Sequence, residues 1–163
     1  MSDRKNRRPE DGERYEFFYD RPYSRITCTD GSYEVSFKDG DPRDWYKGQM
    51  INDTFTGQGY MEYKDGTIYN GHLTNGDWDG YGTAIFRTDQ FTEIYEGSWT
   101  RNIRQGSGKT SFYRPGEEEP YAVHEAWYEN DKIDGPLLSH FSDGTIVEGA
   151  KFSGYVPQGP MTI

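Results

Sequence analysis

From Tyr15 onward the chain alternates large apolar and polar residues in short runs: Tyr15-Glu-Phe-Phe-Tyr19, Arg25-Ile-Thr-Cys-Thr29 and Tyr33-Glu-Val-Ser-Phe37. A period of two puts one side of each run in a core and the other in water, which predicts β-strands. Asp30-Gly31, between the second and third runs, is a hairpin-turn signal. No apolar period of 3.6 residues is sustained, and glycine recurs every few residues, so helices are not expected.

Beyond Tyr46 the alternation settles into one phrase, stated five times: an aromatic, a glycine two residues on, and a glycine pair nine residues later. The copies begin Tyr46-Lys-Gly48, Tyr69-Asn-Gly71, Tyr95-Glu-Gly97, His124-Glu-Ala126 and Val147-Glu-Gly149. Their pairs begin Gly57-Gln-Gly59, Gly80-Tyr-Gly82, Gly106-Ser-Gly108, Gly135-Pro136 and Gly159-Pro160, with Pro136 and Pro160 in place of the second glycine. Repetition every 23 to 29 residues marks a repeat architecture, whose units bury their faces against their neighbours. Each copy is expected to be one hairpin. In the first, the strands are Tyr46–Ile51 and Gly59–Tyr63, and Asp65-Gly66 turns the chain into the next unit, as Asp143-Gly144 does in the fourth. Residues 1–14 read as a mobile polar leader, 15–45 as degenerate capping strands, and 46–163 as five repeats of which the last two diverge.

The spacing from the early glycine, or Ala126, to the pair is 9, 9, 9, 9 and 10 residues, whereas the distance from pair to next copy varies. Two insertions, around 87–94 and 114–123, cause the variation, so one connection of each hairpin is fixed and the other accepts loops. Glycine inside a strand needs a local reason. Two reasons fit: an aromatic ring lying over bare backbone, or a bulge or sharp bend at the pair.

Composition sharpens this. Only 32% of residues are apolar while 17% are aromatic, so Tyr, Phe and Trp must supply a thin core. Net charge is -10, and the repeats themselves stand near -8, which disfavours nucleic acid and anionic membranes and favours basic partners. The single cysteine, Cys28, excludes a disulfide framework and a cysteine metal site. The first 14 residues contain no apolar run of a secretory signal, and nothing approaches a membrane-spanning length. The chain therefore reads as intracellular.

Tyr69-Asn-Gly-His-Leu-Thr-Asn-Gly-Asp-Trp-Asp-Gly-Tyr-Gly82 and Tyr95-Glu-Gly-Ser-Trp99 resemble MORN repeats, over about 46–163. The resemblance implies stacked hairpins in an elongated, curved antiparallel sheet with an aromatic groove. It also implies a scaffold or adaptor in cytoskeletal, ciliary or membrane-contact assemblies, with an organellar complex as the alternative home.

Catalytic and metal signatures are weak. Asn75-Gly-Asp77-Trp-Asp79-Gly80 imitates a calcium loop, but Phe86 stands where the bidentate Glu belongs. His72, His124 and His140 lack ligand spacing, and Cys28 has no paired base. No catalytic residue, cofactor or metal is expected. Trp45, Trp78 and Trp127 lie outside the repeat-start positions and are candidate exposed anchors. The expected partner-binding residues are Tyr69, Trp78, Tyr95, Trp99 and Trp127, with Phe91 and Tyr121 on the two longer loops. The chain is expected to be a non-catalytic protein-interaction scaffold or subunit. A phospholipid adaptor and a regulatory module for a partner enzyme are the alternatives.

Overall fold

A computed structural model of the chain describes residues 4–155, with side chains as far as Gly149. Gly159 and Pro160, the second half of the fifth repeat, lie outside the described residues. All regular structure among the described residues is β, in two compact units, 1–77 and 78–163.

The first unit holds β1 (Arg14–Phe17), β2 (Tyr23–Thr27), β3 (Tyr33–Phe37), β4 (Arg43–Gly48), β5 (Gly57–Tyr63) and β6 (Ile68–Thr74). Each pairs antiparallel with the next. The second holds β7 (Asp77–Arg87), β8 (Thr92–Thr100), β9 (Ile103–Tyr113), β10 (Ala122–Glu129), β11 (Lys132–Phe141) and β12 (Ile146–Tyr155), again each antiparallel to the next. The three early runs are strands within about two residues of their expected limits, and Gly31 turns with φ 85° as Asp30-Gly31 requires. β4 starts three residues earlier than expected, at Arg43, and leaves regular pairing at Gly48.

The constant nine-residue spacing has a specific cause. Positive φ falls at Asn52 and Asp53, Asn75 and Gly76, Arg101 and Asn102, and Asn130 and Asp131. In each of the first four copies these are the fourth and fifth residues after the early glycine or Ala126. Two consecutive left-handed residues make the tight hairpin turn whose twist matches the strands, and Asn and Asp tolerate that conformation best. Any added residue there would slip the register and turn the core side chains outward.

The glycines divide their work. The first of each pair bends the strand, with φ +108° at Gly57 and +97° at Gly106, values that L side chains rarely adopt. The second lies under a ring: a side-chain carbon on Gly59 would meet Tyr46, and one on Gly108 would meet Tyr95. Both reasons foreseen for glycine are therefore present, at different positions. The tyrosine hydroxyls then reach past the early glycine to the backbone three residues on. Tyr46 Oη donates to the Gln49 carbonyl at 2.6 Å, Tyr69 to His72 at 2.7 Å and Tyr95 to Ser98 at 3.1 Å. The side that carries these rings is the inner face below. The row Arg25, Val35, Tyr46, Met61 and Tyr69, set by register, is its buried spine in the first unit.

The fourth repeat corrects one expectation. Ala126 is opposite Leu137, whereas Gly48 is opposite Gly59, so Leu137 and not Pro136 stands at the second glycine's place. Pro136 occupies the exposed position between. The reason is volume: Leu137 and Ala126 fill the room a tyrosine ring would need, and the shorter His124 replaces the ring. His124 is fully buried, with Nδ1 2.5 Å from Ser139 Oγ.

The leader also departs from its expected freedom. Residues 4–7 lie against the outer face of β3–β5, because Arg4, Lys5 and Arg7 find acids there. Lys5 Nζ donates to Asp44 at 2.8 Å, and the Asn6 amide to Ser36 Oγ at 2.8 Å.

Candidate functional site

The inner face of the second unit is filled by its own side chains. Tyr95 stacks edge-on against Trp99 and Tyr128, and Trp78 against Trp99. Arg104 reaches into this cluster, donating to Glu93 at 3.1 Å and to Asp131 at 3.2 Å, with its guanidinium 5.5 Å from the Tyr95 ring centre. Burial pushes the Glu93 carboxyl up while Arg104 opposes the shift. The network satisfies charge inside an aromatic core and leaves no open groove at that point.

Placement of the candidate aromatics follows from this packing. Tyr69, Trp78, Tyr95, Trp99 and Tyr121 are all buried, and Phe91 is half-buried. Phe91 and Tyr121 turn inward from the two longer loops onto Phe112, with Ala122 and Phe141 beside them. These loops thus cover the core with their rings and leave their acids, Glu117 to Glu119, in water. Those six are not available as a surface, because each ring finds apolar area within its own unit. Trp45 is buried as well, beneath Arg4. Trp127 is the exception at 49% exposure.

Trp127 belongs to the outer face, and register shows what surrounds it. One row across β8–β12 reads Glu96, Lys109, Glu125, Leu138, Glu148. The next reads Ile94, Ser111, Val123, His140, Ile146, with Ile85 before it. On the other side stand Trp127 opposite Ser107, and Tyr81 opposite Ser98. Tyr81 is 64% exposed and Ile146 58%. An open depression on this face is lined by Tyr81, Glu96, Lys109 and Glu125. The row's three acids, Glu96, Glu125 and Glu148, and its one lysine, flanked by apolar residues, suit a segment that brings both cations and apolar side chains. The sequence pointed to Trp127; the rest of this face appears only once register is known.

In the first unit Glu13, Cys28 and Glu34 place ligand atoms within 4.8 Å of one another. The chain's own cations already answer them. Arg7 donates to Glu13 at 2.8 Å and to Glu34 at 2.6 Å, and Lys47 Nζ lies 3.5 Å from Cys28 Sγ. Arg7 holds the Glu13 carboxyl down at about 2. Burial pushes the Cys28 thiol up, which keeps it protonated and a poor metal ligand. The cluster is an ion-pair network that fastens the leader. The imitation calcium loop is explained by its turn: the Asn75 and Gly76 conformation ends one strand and begins the next.

The family model of the MORN repeat matches residues 46–68 and 95–113. In both stretches a tyrosine ring lies over a glycine of the following strand. A comparison with curated proteins finds no match. MORN repeats are in general protein- or membrane-interaction modules, and the family is in general not enzymatic.

Proposed function

The chain is a MORN-repeat protein, and from that premise we propose that it is a non-catalytic scaffold or structural subunit that recognises another protein through the outer face of its second unit. The observation that carries this reading is Trp127, half-exposed on the same face as Tyr81 while the other candidate aromatics are buried or half-buried. An exposed tryptophan in a mixed apolar and charged surface is the usual anchor of a protein interface. The row Glu96, Glu125 and Glu148 selects a partner with basic and apolar side chains. The same acids repel an anionic bilayer, which supports a protein partner over a lipid one. A cytoskeletal, ciliary or organellar assembly is the proposed setting.

Lys109 lies in the middle of this face, opposite both Glu96 and Glu125. Amine cross-linking in native extract, read by mass spectrometry, should join Lys109 to a partner protein. Cross-links to partners from other lysines alone would move the interface elsewhere.

A further inference from the structure

Residues 4–7 cross the outer face from β5 to β3, and their cations meet acids or rings. The Arg4 guanidinium stands 4.1 Å from the Trp45 ring centre and 3.6 Å from a Glu62 carboxylate oxygen. Lys5 pairs with Asp44 and Arg7 with Glu34. The receiving side is more than a solvated acidic patch. The Asp44 side chain is only 2% exposed, and its Oδ2 has no hydrogen-bond partner; Glu62 Oε1 is buried and lacks one too. A buried carboxylate with an open acceptor is costly unless positive charge lies close by. The face of β3–β5 is therefore built for cations. The segment that fills it, Arg4-Lys-Asn-Arg-Arg8, has no apolar side chain to bury and is held by ion pairs and cation–π contact. Such contacts are individually weak and exchangeable.

We propose that the outer face of β3–β5 is a binding site for a short, turn-forming peptide segment rich in arginine and lysine, filled here by the chain's own residues 4–7, whose Arg7 amide bonds the Arg4 carbonyl at 3.3 Å, and open to a partner's segment of the same chemistry. A tethered segment acts at an effective concentration in the millimolar range, so the partner must outcompete it, and the tether sets a threshold for binding. Trp45 and Tyr60 give arginine a platform that lysine uses less well. This site is in the other unit from Trp127, so its failure would leave the scaffold reading untouched.

The test uses the full chain carrying Arg4→Ala, Lys5→Ala and Arg7→Ala, which unfastens its own segment. The probe is a fluorescent peptide of residues 4–9, Arg-Lys-Asn-Arg-Arg-Pro, followed by anisotropy. The triple variant should bind it at least about tenfold more tightly than the unaltered chain. Added salt should weaken that binding, and a further Glu62→Lys should abolish it. Equal binding by variant and unaltered chain, or binding that survives Glu62→Lys, would overturn the proposal. If circular dichroism shows the triple variant unfolded, Arg7→Ala alone is measured the same way. A several-fold gain is then expected, and no gain overturns the site.

Discussion

The ring of Tyr95 occupies the volume that a side chain on Gly108 would need, and its hydroxyl closes onto the Ser98 carbonyl at 3.1 Å. Tyr46 and Gly59 repeat the arrangement in the other unit. The repeated phrase is thus a steric code, with the aromatic on one strand and the empty place on the next.

Gly108→Ala should destabilise the chain by about 3 kcal/mol, since the ring is held on all sides and overpacking has no outlet. Gly66→Ala, where φ is +92° but nothing stands within 4 Å, should cost only about 1 kcal/mol. Urea denaturation of both variants separates ring contact from backbone strain. A loss at Gly108 no greater than at Gly66 would show that the Tyr95 ring yields to a side chain there.

Tyr46→Phe keeps the ring and removes its hydrogen bond to Gln49, leaving that carbonyl without the hydroxyl. About 1 kcal/mol of stability should go, measured by the same denaturation, with the fold unchanged by circular dichroism.

His124→Tyr restores the repeat's usual residue yet should destabilise, because Leu137 and Ala126 hold the space. Leu137→Gly should recover part of the loss in the double variant. A double-mutant cycle should give a coupling of about 1 kcal/mol or more. Simple additivity would contradict the volume exchange.

Burial lowers the affinity of His124 for protons below its ordinary value near 6.5. The unfolded chain then binds more protons, so the His124 contribution is present above pH 6.5 and declines as pH falls below it. Stability curves of the unaltered chain and His124→Gln should diverge in slope as pH falls below 6.5. Parallel curves would mean that the imidazole is hydrated.

The leader should come away in acid. Glu13 is lowered from its usual value near 4.5 to about 2, and Glu34 is lowered too, each first through its hydrogen bond with Arg7. Attachment is therefore complete above pH 4.5 and is lost as pH falls toward 2. The Asn6 amide, bonded to Ser36, should lose its protection from hydrogen exchange over that range, and at neutral pH in Arg7→Ala. Protection that survives at pH 2 would contradict this.

Alternation and the Gly-x-Gly spacing made the hairpins legible, because turn geometry and ring-over-glycine contact are local and repeat with the chain. Which rings remain exposed was less legible. Tyr69 and Trp127 are both large aromatics in the repeats, and only register distinguishes the inner face from the outer. The leader was misjudged for a related reason. Arg4, Lys5 and Arg7 look like a solvated tail until Asp44, Glu34 and Glu62, distant in sequence, are brought onto one face. Leu137 at a glycine position was hidden by Pro136, which drew the alignment one residue short.

The central claim is that the outer face around Trp127 meets another protein. The most direct measurement is native size fractionation of the chain from its own cells, unaltered and as Trp127→Ala with Tyr81→Ala. Trp127 is 49% and Tyr81 64% exposed, so their loss should change stability by less than about 1 kcal/mol. The unaltered chain should elute with a larger assembly and the variant as the free monomer. Elution of both as monomers, or of both in the assembly, would contradict the account.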